Sequence, residues 1–281
     1  MSKKPETNAG ADVDDPVRIG LNGFGRIGRN VLRAVRDDPR IELVAINDVM
    51  DFEDMAYLAK YDTVMGRLDA IDRDGDTLLV GDSSVPLFNV QNPTELPWDA
   101  LDVDVALECT GIFRTRDDAA AHLQAGADKA IISAPPKGDK PVKQLVYGVN
   151  HDEYAGEDVV SNASCTTNSV TPVAKVLDDS FGIESGLLTT VHAYTGSQQL
   201  VDGPMAKTRR GRAAAENIVP TSTGAAKATT EILPQLAGKL DGMAIRVPVP
   251  NGSITELVVD LDDAPAVADV NDAFRAAADS G

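Results

Sequence analysis

The amino-acid sequence predicts an α/β protein: a doubly wound parallel sheet, followed by a second, α+β domain whose sheet is mixed or antiparallel. Three observations support this fold class. Short apolar strands alternate with helical segments through the first half, a glycine-rich turn joins the first strand to the first helix, and longer strands of alternating polarity occupy the second half. Alternation of strands and helices favours a parallel sheet with helices on both faces.

The first half opens with a polar, acidic stretch, residues 1–15, which lacks periodicity and predicts a mobile tail. Val17–Leu21 is the first predicted strand, and a helix follows in which apolar residues recur at helical spacing. The later predicted elements of this half are strands at Ile41–Ile46, Val103–Glu108, Lys129–Ser133 and Asp158–Ser161, with a helical segment at Asp117–Ala127. We therefore assign the first domain to residues 16–164.

After residue 165 the chain changes character. The predicted strands are longer, and several alternate polar with apolar residues: Gly186–Tyr194, Ala244–Pro248 and Ile254–Leu261. Such strands fit a mixed or antiparallel sheet covered by helices on one side. Between them, Thr195–Pro220 is a long polar loop that contains Arg209, Arg210 and Arg212, and a loop of that length in a compact domain is more often functional than idle. We assign the second domain to residues 165–281.

The glycine-rich turn runs from Gly23 to Gly28 and has the G-x-G-x-x-G spacing of dinucleotide-binding folds. Gly23 permits the tight turn, Gly25 lets a pyrophosphate approach the backbone, and Gly28 permits close packing of the helix. Asp48 follows Gly28 by twenty residues, where a carboxylate can bind the adenine ribose hydroxyls and repel a 2′-phosphate. A Rossmann-type domain that prefers NAD to NADP is predicted; an ordinary glycine turn with a surface aspartate is the alternative.

The chain has two cysteines, and their surroundings differ. Cys109 lies in an apolar strand and is predicted to be a small buried side chain. Cys165 stands among hydroxyl and amide residues before an apolar helical run, where the N–H dipoles of a helix start favour the thiolate. His192 is the best candidate of three histidines for a base. A thiolate that faces a nicotinamide suggests oxidation of an aldehyde through a thioester, which makes the second domain catalytic; structural roles are the alternative for both residues.

Two features of the second domain suit phosphate. Thr221–Gly224 is a hydroxyl- and glycine-rich turn before a helix, which is a favourable place for an anion. Arg246 is a charge inside an otherwise apolar strand, so it requires a partner. A guanidinium group binds phosphate with two hydrogen bonds, and an internal carboxylate is the alternative partner.

The formal net charge of −18 is the outlier of the composition. It argues against a nucleic-acid partner or a membrane surface, since both would repel such a protein. Concentrated salt screens the self-repulsion of a dispersed acidic surface, so we predict a halophilic protein; an acidic mesophilic protein is the alternative. No apolar run approaches the ~18 residues of a membrane span, and the few cysteines indicate a cytoplasmic location. No metal site is predicted.

Together these segments resemble the phosphorylating, type I glyceraldehyde-3-phosphate dehydrogenase family. The matching motifs are Asn22–Arg29, Ala163–Asn168, His192–Thr195, Ala213–Ala226 and Arg246–Pro250. The resemblance implies oxidation of glyceraldehyde 3-phosphate to 1,3-bisphosphoglycerate with NAD and inorganic phosphate, in glycolysis or reversed in gluconeogenesis. It also implies a homotetramer in which the long arginine-bearing loop lines a subunit interface next to the cofactor.

The resemblance further implies roles for particular residues. Cys165 attacks the aldehyde carbon, while His192 keeps the thiol ionised and then accepts the hydroxyl proton. The cofactor-contacting positions, besides the three glycines, are Arg26, Ile27, Asp48, Thr110 and Ser133. The substrate phosphate is expected at Thr195 and Arg246, and the attacking phosphate at Ser164, Thr166, Thr223 and Gly224.

Some positions depart from the family pattern. Family chains continue past the point that matches Gly281, so we expect this chain to be truncated at its C-terminus. Val49 and Gly203 fall at positions that tune the choice between NAD and NADP, so Asp48 favours NAD while NADP use stays open. Two other functions also stay open: an erythrose-4-phosphate dehydrogenase and a non-catalytic nucleotide-binding fragment.

Overall fold

A computed structural model describes residues 15–279, so the tail predicted at residues 1–15 lies, apart from Asp15, outside the described residues. One unit of the fold comprises residues 15–61, 67–112 and 119–130, and the other comprises 62–66, 113–118 and 131–279. The second unit begins earlier than the domain boundary expected at residue 165, which stays a prediction. Within residues 15–279, no helix is long and apolar enough to cross a membrane.

The first unit is built on a mainly parallel sheet. Its strands are β1 (Val17–Asn22), β2 (Ile41–Asn47), β3 (Ile71–Asp74), β4 (Thr77–Val80), β5 (Ser83–Phe88), β6 (Val105–Glu108) and β7 (Lys129–Ile132), in the order β3-β4-β5-β2-β1-β6-β7. The helices in this part of the chain are α1 (Arg26–Val35), α2 (Phe52–Lys60), α3 (Arg116–Ala119) and α4 (Ala121–Gln124). Strand β1 pairs in parallel with both β2 and β6, which confirms the predicted parallel sheet.

Two details of the first unit differ from the expectation. β3, β4 and β5 form an antiparallel meander at one edge of the sheet, which was not predicted. The single helix expected over Asp117–Ala127 is instead the two short helices α3 and α4. Ala120 separates them, and its carbonyl accepts from Leu123 N at 3.1 Å, an i to i+3 bond that tightens the turn.

The second unit contains a mixed sheet, as predicted. The strands of this unit are β8 (Lys143–Gln144), β9 (Val159–Ser161), β10 (Ile183–Ala193), β11 (Val219–Ser222), β12 (Leu240–Val247) and β13 (Ser253–Leu261). The last four form the mixed sheet, and β8 pairs in parallel with β9. Its helices are α5 (Cys165–Phe181), α6 (Ala225–Ile232) and α7 (Val267–Asp279). The order β11-β12-β10-β13 places β12 parallel and β13 antiparallel to β10.

The two faces of this mixed sheet differ in character. On one face Leu188 packs with Val170 of α5 and Ala225 of α6 in a buried apolar cluster, because β-strand side chains alternate between the faces. The other face leaves large apolar side chains exposed to solvent. These are Leu187, Met243, Ile254 and Val258. The helices therefore cover one side of the sheet, and the opposite side is an exposed apolar face.

Candidate active site

Cys165 is the first residue of α5. Ser164 precedes it as the N-cap, and its Oγ accepts a hydrogen bond from Thr167 N at 3.0 Å. The chain enters this cap through Ala163, whose φ of 59° lies in the left-handed region and whose N–H donates to Ser161 Oγ at 3.0 Å. The thiol therefore sits at the positive end of a seventeen-residue helix, where the thiolate is favoured.

His192, near the end of β10, faces this thiol. The distance from Cys165 Sγ to His192 Nε2 is 3.4 Å, and His192 Nδ1 lies 2.6 Å from the carbonyl oxygen of Ala193. A carbonyl can only accept, so Nδ1 carries a hydrogen and Nε2 is left to exchange a proton with sulfur. The hydrogen bond to His192 lowers the pKa of Cys165 below its ordinary value of 9.0, although partial burial opposes this. The same bond raises the pKa of His192 above 6.5.

Arg246 lies beside this pair, since β12 and β10 place it opposite His192 in register. Its side chain is buried, and Nη1 donates to Thr195 Oγ1 at 2.9 Å and to the Ala193 carbonyl at 3.3 Å. Neither partner is a carboxylate, and Nε has no hydrogen-bond partner among the described residues. Arg246 is thus a buried cation with spare donor capacity, as an anion-binding residue requires.

A cavity of about 260 Å³ joins these side chains. It brings together the predicted catalytic pair and five of the six predicted phosphate-binding residues: Cys165, His192, Ser164, Thr166, Thr223, Gly224 and Arg246. The sixth, Thr195, is not among the lining residues, but its Oγ1 accepts a hydrogen bond from Arg246, which is. Among the lining residues that the structure describes there are three Lys or Arg side chains and no carboxylate, which is notable in a chain of net charge −18.

Two of these cations, Lys207 and Arg210, were not singled out as site residues from the sequence. Lys207 Nζ donates to Ser222 Oγ at 2.6 Å, and Arg210 Nε donates to Thr221 Oγ1 at 3.1 Å. Both bonds tie the long polar loop to β11. Burial, and then electrostatic repulsion from Arg210, lowers the pKa of Arg246. A bound anion would reduce the repulsion between the two guanidinium groups. The available signal was the basic character of this loop in an acidic chain.

The Thr223–Gly224 turn supplies a second helix start to the cavity. Gly224 is the N-cap of α6 and has no side chain with which to cap the helix. Thr223 Oγ1 accepts from Ala225 N at 3.1 Å, and a Cβ at Gly224 would meet open space. The first N–H groups of α5 and α6 both belong to residues around the cavity, which favours an anion.

In the first unit, the glycine turn fits a dinucleotide. A Cβ at Gly23, whose φ is +96°, would lie 2.4 Å from Thr110 N, and one at Gly28 would lie 2.1 Å from the carbonyl oxygen of Gly23. At Gly25, by contrast, a Cβ would meet nothing within 4 Å. Two glycines thus permit close packing, while Gly25 borders the open space into which a pyrophosphate would fit. Helix α1 begins at Arg26 without a side-chain cap.

The other predicted cofactor residues follow strand ends or the glycine turn. Asp48 follows β2, and its Oδ2 accepts from Phe24 N at 2.5 Å while Oδ1 accepts from Met50 N at 3.1 Å. Arg26 and the half-exposed Ile27 begin α1, and Thr110 follows β6 by two residues. Ser133 follows β7 and belongs to the second unit. The structure therefore places the Asp48 carboxylate against the glycine turn.

Comparison with known proteins extends over nearly the whole chain. Residues 17–116 match the profile of the NAD binding domain of glyceraldehyde 3-phosphate dehydrogenase, and residues 164–281 match that of its C-terminal domain. The chain is 69 % identical over 268 residues to glyceraldehyde-3-phosphate dehydrogenase of Haloarcula vallismortis, covering 95 % of this chain and 80 % of that protein. The enzyme of Streptomyces coelicolor is 53 % identical over 94 % of this chain and 80 % of its own. That of Geobacillus stearothermophilus is 51 % identical over 94 % and 79 %.

Proposed function

The chain belongs to the glyceraldehyde-3-phosphate dehydrogenase family, with that enzymatic activity and an NAD-binding domain, and we propose that it acts through a thioester on Cys165. One observation carries the proposal. Cys165 Sγ lies 3.4 Å from His192 Nε2 at the start of a long helix, which is the arrangement that activates a cysteine nucleophile.

The proposed chemistry follows from this pair. The Cys165 thiolate adds to the aldehyde carbon, and the new oxyanion takes a proton from His192 Nε2. His192 then accepts the hydroxyl proton back as the carbon loses a hydride. Bound NAD supplies the hydride acceptor. An oxygen of inorganic phosphate next attacks the thioester carbon, the C–S bond breaks, and Cys165 is released as the thiolate.

The reaction requires two bound phosphate groups, one on the substrate and one that attacks the thioester. The cationic side chains of the cavity support the positions that we assign to them. We assign the substrate phosphate to Thr195 and Arg246, because the buried Nε of Arg246 has no partner in the described residues. The attacking phosphate is assigned to the two helix starts, at Ser164, Thr166, Thr223 and Gly224. Lys207 and Arg210 add positive charge on the same cavity, which favours two anions close together.

The cofactor is assigned to the glycine turn and the neighbouring strand ends. Gly23, Gly25 and Gly28 would shape the turn around the pyrophosphate, with further contacts from Arg26, Ile27, Asp48, Thr110 and Ser133. The Asp48 carboxylate lies against the turn, where it would accept from ribose hydroxyls and repel a 2′-phosphate. This favours NAD, with NADP as the weaker alternative.

Assembly as a homotetramer is also proposed. The exposed apolar face of the mixed sheet, Leu187, Met243, Ile254 and Val258, is of the kind that protein–protein contacts cover. The cytoplasmic location and the halophilic character stay predictions. The acidic surface supports the latter, since its self-repulsion is screened at high salt.

The test is NADH formation from glyceraldehyde 3-phosphate and NAD in concentrated KCl, with and without inorganic phosphate. Sustained turnover is expected only with phosphate. Without it, about one NADH per active site should form before the reaction stalls at the thioester. Equal turnover without phosphate would contradict the phosphorolysis step. Faster oxidation of erythrose 4-phosphate would favour the alternative substrate, and NAD binding without any turnover would favour a non-catalytic fragment.

A further inference from the structure

A row of buried polar side chains ends three neighbouring strands of the first unit. Asn47, Asn22 and Glu108 are the last residues of β2, β1 and β6, and the strand register pairs Asn22 with both of the others. Asn47 Nδ2 donates to Asn22 Oδ1 at 2.8 Å, and Asn22 Nδ2 donates to Glu108 Oε2 at 2.6 Å. Ligands of α/β sheets bind beyond the carboxyl ends of the strands, so the row lies at the cofactor edge.

Glu108 ends this row as a buried carboxyl group, 1 % exposed. Besides Asn22, it bonds Thr110 N at 2.7 Å, the hydroxyl of Thr110, and His122 Nε2 at 3.1 Å. No role in the chemistry proposed above involves Glu108. Burial of a carboxyl group costs free energy of folding unless its hydrogen-bond partners donate to it.

The direction of each hydrogen bond can be derived from its partner. Trp98 Nε1 lies 3.1 Å from His122 Nδ1, and an indole N–H can only donate. His122 Nδ1 is therefore unprotonated, and Nε2 carries the hydrogen that is donated to Glu108. Likewise, Ile112 N donates to Thr110 Oγ1 at 3.0 Å, which leaves the Thr110 hydroxyl hydrogen for Glu108. Four donors thus converge on one carboxylate.

These bonds reach the glycine turn from two sides. Thr110 N, held by Glu108, is also the atom that a Cβ at Gly23 would approach to 2.4 Å. Asn22, held by the same carboxylate, directly precedes Gly23 in the chain. Asn47 also holds the glycine turn directly, because its backbone carbonyl oxygen accepts a hydrogen bond from Gly23 N at 2.8 Å. A change in the charge or hydrogen bonding of Glu108 would therefore displace both Thr110 and the turn.

We propose that Glu108 is a positioning residue for NAD, acting by holding the turn at Thr110 and the glycine turn in the geometry that accepts the dinucleotide. The inference rests on the proposed contact between Thr110 and the cofactor. An amide at this position would be the wrong replacement. Its NH₂ group would face Asn22 Nδ2, Thr110 N or His122 Nε2, all of which are donors, so at least one bond would be lost.

The test is Glu108→Gln in the full chain, with NAD binding measured by titration calorimetry in concentrated KCl. We expect the NAD dissociation constant to rise about 10- to 100-fold, since a hydrogen bond to a charged group is lost. The KM for NAD should rise by a larger factor than kcat falls, and the alkylation rate of Cys165 without NAD should be unchanged. Glu42→Gln, which alters an exposed carboxylate paired with Arg18, is the matched control and should leave NAD affinity unchanged. A folded Glu108→Gln protein with unaltered NAD affinity would overturn the proposal.

If Glu108→Gln does not fold, the variants Thr110→Val and Thr110→Ser test the proposed role of Glu108 instead. Valine keeps the branched shape but loses the hydroxyl that bonds Glu108, whereas serine keeps it. The proposal expects weaker NAD binding with valine and near-normal binding with serine. In a folded double variant, the effects of Glu108→Gln and Thr110→Val should be less than additive, because both remove one link.

The outcomes distinguish a failure of the proposed role of Glu108 from a failure of the proposed contact between Thr110 and NAD. If both Thr110 variants weaken NAD binding equally while Glu108→Gln does not, the Thr110 contact stands and the role of Glu108 is refuted. If neither Thr110 variant changes NAD affinity, the proposed Thr110 contact fails, and the inference about Glu108 fails with it. Neither result would affect the thioester chemistry, which the phosphate dependence of turnover tests separately.

Discussion

The polar centres of the two units are built in opposite ways. In the first unit, each side-chain oxygen and nitrogen of Asn22, Asn47 and Glu108 has a hydrogen-bond partner. In the cavity around Cys165, buried polar atoms such as Arg246 Nε lack one within the part of the chain that is described. A satisfied network holds a shape, whereas unpaired buried donors destabilise the fold and are available to a ligand. The first centre is suited to positioning, and the second to binding and reaction.

The same contrast holds for the cysteines and histidines. Cys109 belongs to the main apolar cluster of the first unit, while Cys165 is exposed and hydrogen-bonded to His192. His122 is fully buried and has both ring nitrogens occupied. His192 has one nitrogen anchored on a carbonyl and the other facing sulfur. Residue type alone therefore does not determine the role; the surroundings of each side chain do.

The sharpest way to break this comparison is Cys165→Ser. A hydroxyl in place of the thiol is a far weaker nucleophile at neutral pH, so kcat should fall at least about 10³-fold. NAD affinity should stay unchanged, because the residues assigned to the cofactor do not include Cys165. Steady-state NADH formation and calorimetric NAD titration measure the two effects. Substantial residual turnover would refute the covalent mechanism.

Cys109→Ser is the matched control for this variant. It makes the same chemical change in an apolar cluster, so it should leave kcat unaltered. The free energy of unfolding should instead decrease by about 1–2 kcal/mol, because burying a hydroxyl in an apolar cluster costs more than burying a thiol. Denaturant unfolding in KCl measures this loss. Loss of turnover in a folded Cys109→Ser protein would contradict the assignment of the two thiols.

His192→Asn is expected to have the next largest effect. It removes the proton acceptor and the main cause of the lowered pKa of Cys165, so kcat should fall about 10²- to 10³-fold. Because the hydrogen bond to His192 lowers the pKa of Cys165 in the parent protein, alkylation by iodoacetamide should begin at a lower pH in the parent than in the variant. In His192→Asn, the midpoint of the alkylation rate against pH should move upward, toward 9.0.

The control is His151→Asn, at an exposed histidine of the second unit. Both its turnover and the pH profile of Cys165 alkylation should match those of the parent. An unshifted alkylation profile in His192→Asn would mean that the helix start alone activates Cys165. That outcome would contradict the proposed role of His192.

Much of the fold could be predicted from the sequence because periodicity reports local structure directly. The parallel sheet follows from strands alternating with helices, and the mixed sheet follows from longer strands of alternating polarity. The meander of β3, β4 and β5 was missed because its strands are short and one of them, Ile71–Asp74, is mostly charged. Local patterns of that kind are typical of loops as well.

The site was predictable where the chemistry resides in one short motif. Cys165 and Arg246 stand out from their immediate neighbours, and the resemblance to a known family supplied their roles. Lys207 and Arg210 were missed because their approach to Thr221 and Ser222 depends on the path of a long loop. Glu108 was missed for a related reason: its four donors come from Asn22, Thr110 and His122, and only the fold brings these three residues together.

Arg246→Met gives the smallest of these effects on turnover and tests the comparison most directly. Removing the guanidinium group should raise the KM for glyceraldehyde 3-phosphate about 10- to 100-fold, because charge-assisted bonds to phosphate are lost. NAD affinity should not change. Stability should change little, since the loss of two hydrogen bonds from Nη1 is offset by removal of a buried charge whose Nε has no partner among the described residues, and methionine keeps much of the volume. Arg275→Met, at an exposed arginine, should change none of these quantities. If Arg246→Met instead lowered the melting temperature with an unaltered KM, the residue would be structural, and the contrast between a satisfied and an unsatisfied centre would be lost.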